Sequence, residues 1–267
     1  MDFLINAGIM GVVEGITEFL PISSTGHLII VNHFIKFQEP FAQMFEVVIQ
    51  LGAILSVIVF FFGRLNPLTG NSKRREEVLN LWKKTIAGVI PAIIIGGILG
   101  KKISDHLFSP AVVAGALIVG GIIIIIIEMR KKDAKITKVA EITYLLAFSI
   151  GLIQCLAMVP GTSRAAATII GAMMLGANRE TAAEFSFFLA IPTMFAASAY
   201  SLMKHCSSMT SLEWQALAVG FVVSFLVAWA VIALFMSYIR KHDFKPFGYY
   251  RIVLGILVII FIFVYKI

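Results

Sequence analysis

The chain alternates long apolar stretches with short polar ones. Residues 41–62, 85–100, 111–129, 184–203, 214–238 and 249–265 are runs dominated by aliphatic and aromatic side chains. A bilayer core takes about 20 apolar helical residues to cross, so these six runs predict transmembrane helices. Polar stretches separate them: loops at 63–84, 130–141 and 239–248, and turns at 101–110 and 204–213. Two further apolar stretches, 3–20 and 142–159, are interrupted by glycine. Each ends at a polar break containing proline and is followed by a short apolar piece, 27–36 and 165–175. Neither makes a clean span. Each fits a re-entrant hairpin that enters the membrane and returns, because irregular backbone at bilayer depth is tolerated only inside protein or beside water.

The predicted fold is therefore an all-α integral membrane protein, a single domain over 1–267, with six transmembrane helices and two re-entrant helix hairpins. Each half reads hairpin, span, span, span, as pseudo-repeats 1–130 and 140–267. Charge sets the orientation. The loops 63–84, 130–141 and 239–248 hold 14 of the 22 Lys and Arg residues, against five in the opposite loops and at the C-terminus. The basic loops are expected in the cytoplasm. The first hairpin then opens outward, both termini lie outside and the second hairpin opens inward, which makes the repeat inverted. Inverted repeats with broken helices place the functional site where the breaks meet.

Composition agrees. With 59% hydrophobic and 14% charged residues, an ordinary soluble domain is excluded. The net charge of +7 does not indicate nucleic acid, because the basic residues sit in short loops between apolar runs. Cys155 and Cys206 read as unpaired packing residues. Met1-Asp2-Phe3 lacks a basic leader, so no removable signal peptide is expected. Gly96-Gly97-x-x-Gly100 and Gly115 with Gly120 are small-residue patterns that would allow close helix contacts in a homodimer.

The densest polar cluster is Glu14-Gly-Ile-Thr-Glu18-Phe-Leu-Pro21-Ile-Ser23-Ser24-Thr25-Gly26-His27. Polar groups set among apolar residues need a partner or a function. Glu14 and Glu18 are four apart and share a helix face. Two such carboxylates coexist as anions only around a cation or with strong donors. Pro21 is expected to end the helix, Ser23, Ser24 and Thr25 to cap a second one beginning near His27, and Gly26 to take an unusual backbone angle. The start of that helix offers free N–H groups to an anion. Acids for a metal, hydroxyls and amides for phosphate, and an imidazole for proton transfer are the parts of a phosphoryl-transfer site. Arg164, in Pro160-Gly-Thr-Ser-Arg164, is expected to approach this cluster from the second break.

Here a resemblance becomes specific. Gly11-Val-Val-Glu-Gly-Ile-Thr-Glu-Phe-Leu-Pro-Ile-Ser-Ser-Thr-Gly-His27 resembles the first signature of the undecaprenyl-diphosphate phosphatase family, also called the bacitracin-resistance protein family. Pro160-Gly-Thr-Ser-Arg164 with Thr168 resembles the second. Phe45-Glu-Val-Val-Ile-Gln-Leu-Gly52 and Glu184-Phe-Ser-Phe187 with Pro192 also match, so the resemblance covers essentially the whole chain. One departure is Ala165-Ala166, where the family commonly has Ser-Gly.

The resemblance implies a hydrolase in the bacterial cell membrane. It would cleave a C55 polyprenyl diphosphate to the monophosphate and inorganic phosphate at a site facing the outer side. This recycles the lipid carrier for peptidoglycan synthesis and confers bacitracin resistance. It implies dependence on a divalent metal, Mg²⁺ or Ca²⁺, and its site residues fall on Glu14, Glu18, Ser23, Ser24, His27 and Arg164.

The roles expected are these. Glu18, nearer the break, is the stronger metal ligand, with Glu14 as a second ligand or an acid–base group. Ser24 attacks the terminal phosphorus with His27 as base; attack by His27 itself or by metal-activated water is the alternative. Arg164 clamps phosphate through its bidentate fork, helped by Ser23, Thr25 and Ser163, with Thr168 secondary. Against this stand plainer roles: helix capping for the hydroxyls, snorkelling for Arg164, a solvated helix face for the acids. Glu46 with Gln50, and Glu184 with Ser186, read equally as cavity lining or as helix-to-helix pairing. His33, His106, His205 and His242 read as solvated or packing residues. The competing function is a secondary transporter or flippase of the polyprenyl phosphate carrier, which needs the broken helices but no nucleophile.

Overall fold

The computed structural model describes residues 2–35, 37–38, 41–130, 134–205 and 209–265. Among them the elements are helices: α1 (Asp2–Thr17), α2 (Ser24–Phe34), α3 (Phe41–Phe60), α4 (Phe62–Leu65), α5 (Ser72–Leu107), α6 (Pro110–Met129), α7 (Tyr144–Gln154), α8 (Arg164–Met174), α9 (Arg179–His205), α10 (Ser211–Ile239) and α11 (Lys245–Tyr265). The one β-type pairing among the described residues is an isolated bridge between Ile136 and Ala177. Cys206, and with it the question of a disulfide to Cys155, lies outside the described residues; Cys155 donates its thiol to the Gly151 carbonyl at 3.4 Å.

Among the described residues, five helices are long and apolar enough to cross a membrane: Ser72–Gly100 within α5, Pro110–Met129, Arg179–Met203, Ser211–Ile239 and Lys245–Tyr265. Large apolar side chains such as Ile93, Ile98, Val119, Leu234 and Phe263 face outward on them. That much exposed apolar surface suits lipid and not water. The protein is multi-pass.

Two boundaries differ from expectation. The stretch 72–84 is not loop but the first turns of α5, which also runs past Gly100 to Leu107. Its Lys73, Arg74, Arg75, Glu76 and Glu77 are helix formers that stay exposed, so charge does not oppose helix there. Pro91 lies inside α5 without ending it. The run 41–62 becomes α3, which ends at Phe60 and carries Glu46 and Gln50 among its apolar residues. Its Met44, Phe45, Ile49, Ala53, Ile54 and Val57 are completely buried, and it packs between α9 and α10.

The same pattern of neighbours occurs twice. α1 packs on α10 as α7 packs on α5; α1 meets α2 as α7 meets α8; α3 meets α10 as α9 meets α5; α2 touches α11 as α8 touches α6. Helices in lipid gain nothing from hiding apolar surface, so they approach through small residues. α5 and α7 meet backbone to backbone at Gly88 and Gly151. α6 and α11 do so at Gly121 and Gly248, where a methyl on Gly121 would come within 2.6 Å of the Gly248 carbonyl. Gly120 is also taken up within the chain, against α11, whereas Gly97, Gly100 and Gly115 have open space beside them.

Candidate active site between the two breaks

The first break differs from expectation in its details. α1 ends at Thr17, before Pro21, although the Glu18 N–H still donates to the Glu14 carbonyl at 2.9 Å. Residues 18–22 turn, and α2 begins at Ser24 rather than near His27. The unusual backbone angle falls on Ser23, φ 72°, not on Gly26. Gly26 serves packing instead: a methyl there would meet Leu117 Cδ1 at 2.9 Å. Ser23 does not cap α2 with its side chain; its Oγ is buried and without a hydrogen-bond partner. The second break repeats the form. Gly161 and Ser163 have φ 89° and 69°, and α8 begins at Arg164. There the serine does cap its helix: the Ser163 Oγ accepts from the Ala166 N–H at 3.2 Å.

Arg164 meets the first break. Its Nη2 and Nε donate to Glu18 Oε1 at 3.2 and 3.3 Å, and its Nη1 donates to the Ser186 carbonyl at 3.0 Å. Both side chains of the ion pair are nearly enclosed, 11% and 6% exposed. Breaking such a pair from one side costs about 3–5 kcal/mol. A guanidinium carries five N–H donors, so these contacts leave Arg164 with donors to spare for an anion.

Glu18 Oε2 accepts from Ser24 Oγ at 3.4 Å. The expected pairing of Ser24 with His27 is not formed. The His27 Nδ1 lies 2.8 Å from the Ser23 carbonyl and its Nε2 lies 2.7 Å from the Tyr250 hydroxyl, with the two rings stacked. A carbonyl only accepts, so Nδ1 carries a proton; in the neutral ring Nε2 is then the acceptor for the Tyr250 hydroxyl. Thr25 is half-buried in the first turn of α2.

Glu14 is completely buried, and neither carboxyl oxygen has a hydrogen-bond partner. The charges of Glu18, Glu46 and Arg164 all reach it. A buried carboxyl without a donor needs a proton or a cation beside it. Glu14 and Ser23 thus offer open oxygens, whereas both Glu18 oxygens are engaged. The described residues hold no cluster of three or more His, Cys, Asp or Glu side chains suited to a metal. Mg²⁺ suits such a site, since it takes one or two carboxylates and completes its shell with phosphate and water.

Other polar residues resolve into packing. Asn32 donates to Glu46 at 2.5 Å. Glu184 pairs with Arg64. The Thr168 hydroxyl is buried against Ser186 Oγ at 2.5 Å, which fastens α8 to α9. His33 packs among Phe34, Phe261 and Tyr265.

Sequence reasoning missed Tyr250, Gln154 and Arg251. Gln154 is buried with its amide unpartnered. Arg251 is completely buried and donates to the carbonyls of Pro21, Gly161 and Thr162. The signal was present, because a lone arginine within the last apolar run is a functional candidate by default.

Known proteins give the same direction. Undecaprenyl-diphosphatase 1 of Clostridioides difficile is 53% identical, covering 97% of this chain and 96% of its own. The undecaprenyl-diphosphatase of Caldanaerobacter subterraneus is 51% identical over 98% of this chain and 97% of its own. That of Lacticaseibacillus paracasei is 47% identical over 98% and 99%. Residues 7–257 match the family described as bacitracin resistance protein BacA, and the chain belongs to that family.

Proposed function

We propose that this protein is an undecaprenyl-diphosphatase, cleaving undecaprenyl diphosphate to undecaprenyl phosphate and inorganic phosphate. It thereby recycles the lipid carrier for peptidoglycan synthesis and confers resistance to bacitracin. The observation that carries this reading is the contact of Arg164, from one break, with Glu18 and its bonded Ser24, from the other. A nucleophile, an acid–base carboxylate and a phosphate clamp stand together within an apolar protein. A flippase needs no such nucleophile.

Ser24 attacks the terminal phosphorus and passes its proton to Glu18, the group it touches. The bond from that phosphorus to the bridging oxygen breaks, and undecaprenyl phosphate leaves. Water then cleaves the serine phosphate. Arg164 uses its spare donors on the phosphate oxygens as charge builds up. His27, held between Ser23 and Tyr250, fixes the first turn of α2. Glu14 and the Ser23 hydroxyl are the groups that would hold a divalent ion, which would supply charge neutralisation at the diphosphate.

In the membrane, α3 is read as the sixth span, and α1–α2 and α7–α8 as re-entrant hairpins of an inverted repeat. The basic loops lie in the cytoplasm, and the termini and active site face outward. The test is phosphate release from undecaprenyl diphosphate by the detergent-purified protein, with and without EDTA, beside Glu18→Ala. Release that is lost with EDTA and in Glu18→Ala supports the reading. A wild-type protein that releases no phosphate under any metal condition overturns it in favour of transport.

A further inference from the structure

We propose that Arg251 is a positioning residue: it locks the two breaks to each other and so sets Ser24 and Glu18 against Arg164. The proposal deepens the diphosphatase reading and rests on it.

Arg251 lies on α11 with no part of its side chain reaching solvent. Its Nη1 donates to the Pro21 carbonyl at 3.3 Å and to the Thr162 carbonyl at 2.9 Å. Its Nη2 donates to the carbonyls of Gly161 at 3.1 Å and Ala116 at 3.0 Å, and its Nε to that of Leu117 at 3.3 Å. A guanidinium has five N–H groups, and each finds an acceptor here. None of these acceptors is a carboxylate, although a buried arginine ordinarily pairs with one. The carbonyl dipoles take that place. Three of them, Pro21, Gly161 and Thr162, stand in the breaks, where the helical ladder is interrupted. A buried carbonyl left without a donor costs about 1–3 kcal/mol. One side chain therefore satisfies both interruptions and ties them to α6.

The surroundings are shaped for this. A methyl on Gly120 would come within 2.9 Å of the guanidinium carbon. A methyl on Gly161 would meet the Val113 carbonyl at 2.5 Å, so the second break also sits flush on α6. The consequence appears across the breaks. Arg164 stands 3.2–3.3 Å from Glu18, longer than the about 2.7–2.9 Å of a relaxed charge-assisted pair. A displacement of about 1 Å in such a constellation costs about 100-fold in rate.

The test compares wild type, Arg251→Ala, Arg251→Lys, Gly120→Ala, Arg164→Ala and the Arg164→Ala/Arg251→Ala double variant in detergent on undecaprenyl diphosphate. Unfolding midpoints are measured alongside. Arg251→Ala is expected to lower kcat about 100-fold with KM changed less than about threefold. In the Arg164→Ala background the same change should cost less than about threefold, because the partner it positions is gone. Gly120→Ala, which crowds the guanidinium, should reproduce part of the loss, and Arg251→Lys should restore part of it. Wild-type kcat in Arg251→Ala, or an equal fractional loss in both backgrounds, overturns the proposal and leaves Arg251 a merely structural group. Should Arg251→Ala not fold, Gly120→Ala and Arg251→Lys decide by the same criteria. Spin labels at the exposed positions Val12 and Leu156 read the break-to-break distance without substrate. A longer or broader distribution in Arg251→Lys or Gly120→Ala supports the lock even if wild type hydrolyses nothing, which would overturn the diphosphatase reading alone. An unchanged distribution overturns the lock.

Discussion

Ser23 and Ser163 hold the same backbone conformation, φ 72° and 69°, each directly before an 11-residue helix. The interval between them also separates Glu14 from Gln154, which with Ser23 are the described buried side chains that have no hydrogen-bond partner on any polar side-chain atom. It separates Ser24 from Arg164 as well. The two halves thus use one backbone plan and fill it with different chemistry: acid and hydroxyl on one side, amide and guanidinium on the other.

A non-glycine residue at such an angle stores about 1–3 kcal/mol of strain. Ser23 gains no hydrogen bond through its Oγ to offset it. Ser23→Gly is expected to raise stability by about 1 kcal/mol in a detergent thermal unfolding assay while lowering phosphate release at least tenfold, about 1.4 kcal/mol of transition-state binding. Unchanged release would remove the hydroxyl from the site.

Arg164 uses three N–H groups on Glu18 and Ser186 before any substrate arrives. Lysine cannot span both partners and phosphate together. Arg164→Lys should lose about 100-fold in kcat/KM, within the range for removing one transition-state donor. Turnover near that of wild type would count against the clamp.

Ser24 touches Glu18, and His27 touches Tyr250. Ser24→Ala is therefore expected to abolish a trapped phospho-enzyme and lower turnover by about 10³-fold. Tyr250→Phe, which only frees His27 Nε2, should cost about tenfold or less, below the 10²–10⁴ typical of a general base. Absence of phospho-enzyme in wild type would transfer the attack to water. A Tyr250→Phe loss as large as that of Ser24→Ala would return His27 to the chemical step.

Glu14 is buried with both oxygens open. Glu14→Gln keeps its shape and removes its charge. It should leave the unfolding midpoint unchanged or raised in metal-free buffer, since a buried acid without donors is costly. Mg²⁺ should then bind at least tenfold more weakly by calorimetry. Equal Mg²⁺ affinity would place the ion elsewhere.

Much was legible from the order of residues alone. Apolar length and punctuation by Pro160-Gly161 and Pro21 located the long helices and both breaks, because the bilayer and the backbone leave few choices. The polar density around residues 14–27 and Arg164 marked the pair of segments that meet. Local pattern was a poorer guide wherever charge and helix agree, as in residues 72–84, which are both soluble and helical. It also misassigned the strained angle to Gly26, since Gly is the usual occupant; Gly26 instead sits close against Leu117, and the positive φ falls on Ser23.

The sequence by itself determined an apolar, multi-helix chain and the residue types gathered at its breaks; helix periodicity and desolvation cost are properties of a segment and need no partner. Only the tertiary structure decided which atoms face each other. It gave Ser24 to Glu18, His27 to Tyr250 and both breaks to Arg251, contacts between residues as far apart as Pro21 and Arg251. Such pairings depend on the rotation and depth of each helix, which are set by where Gly88 meets Gly151 and Gly121 meets Gly248.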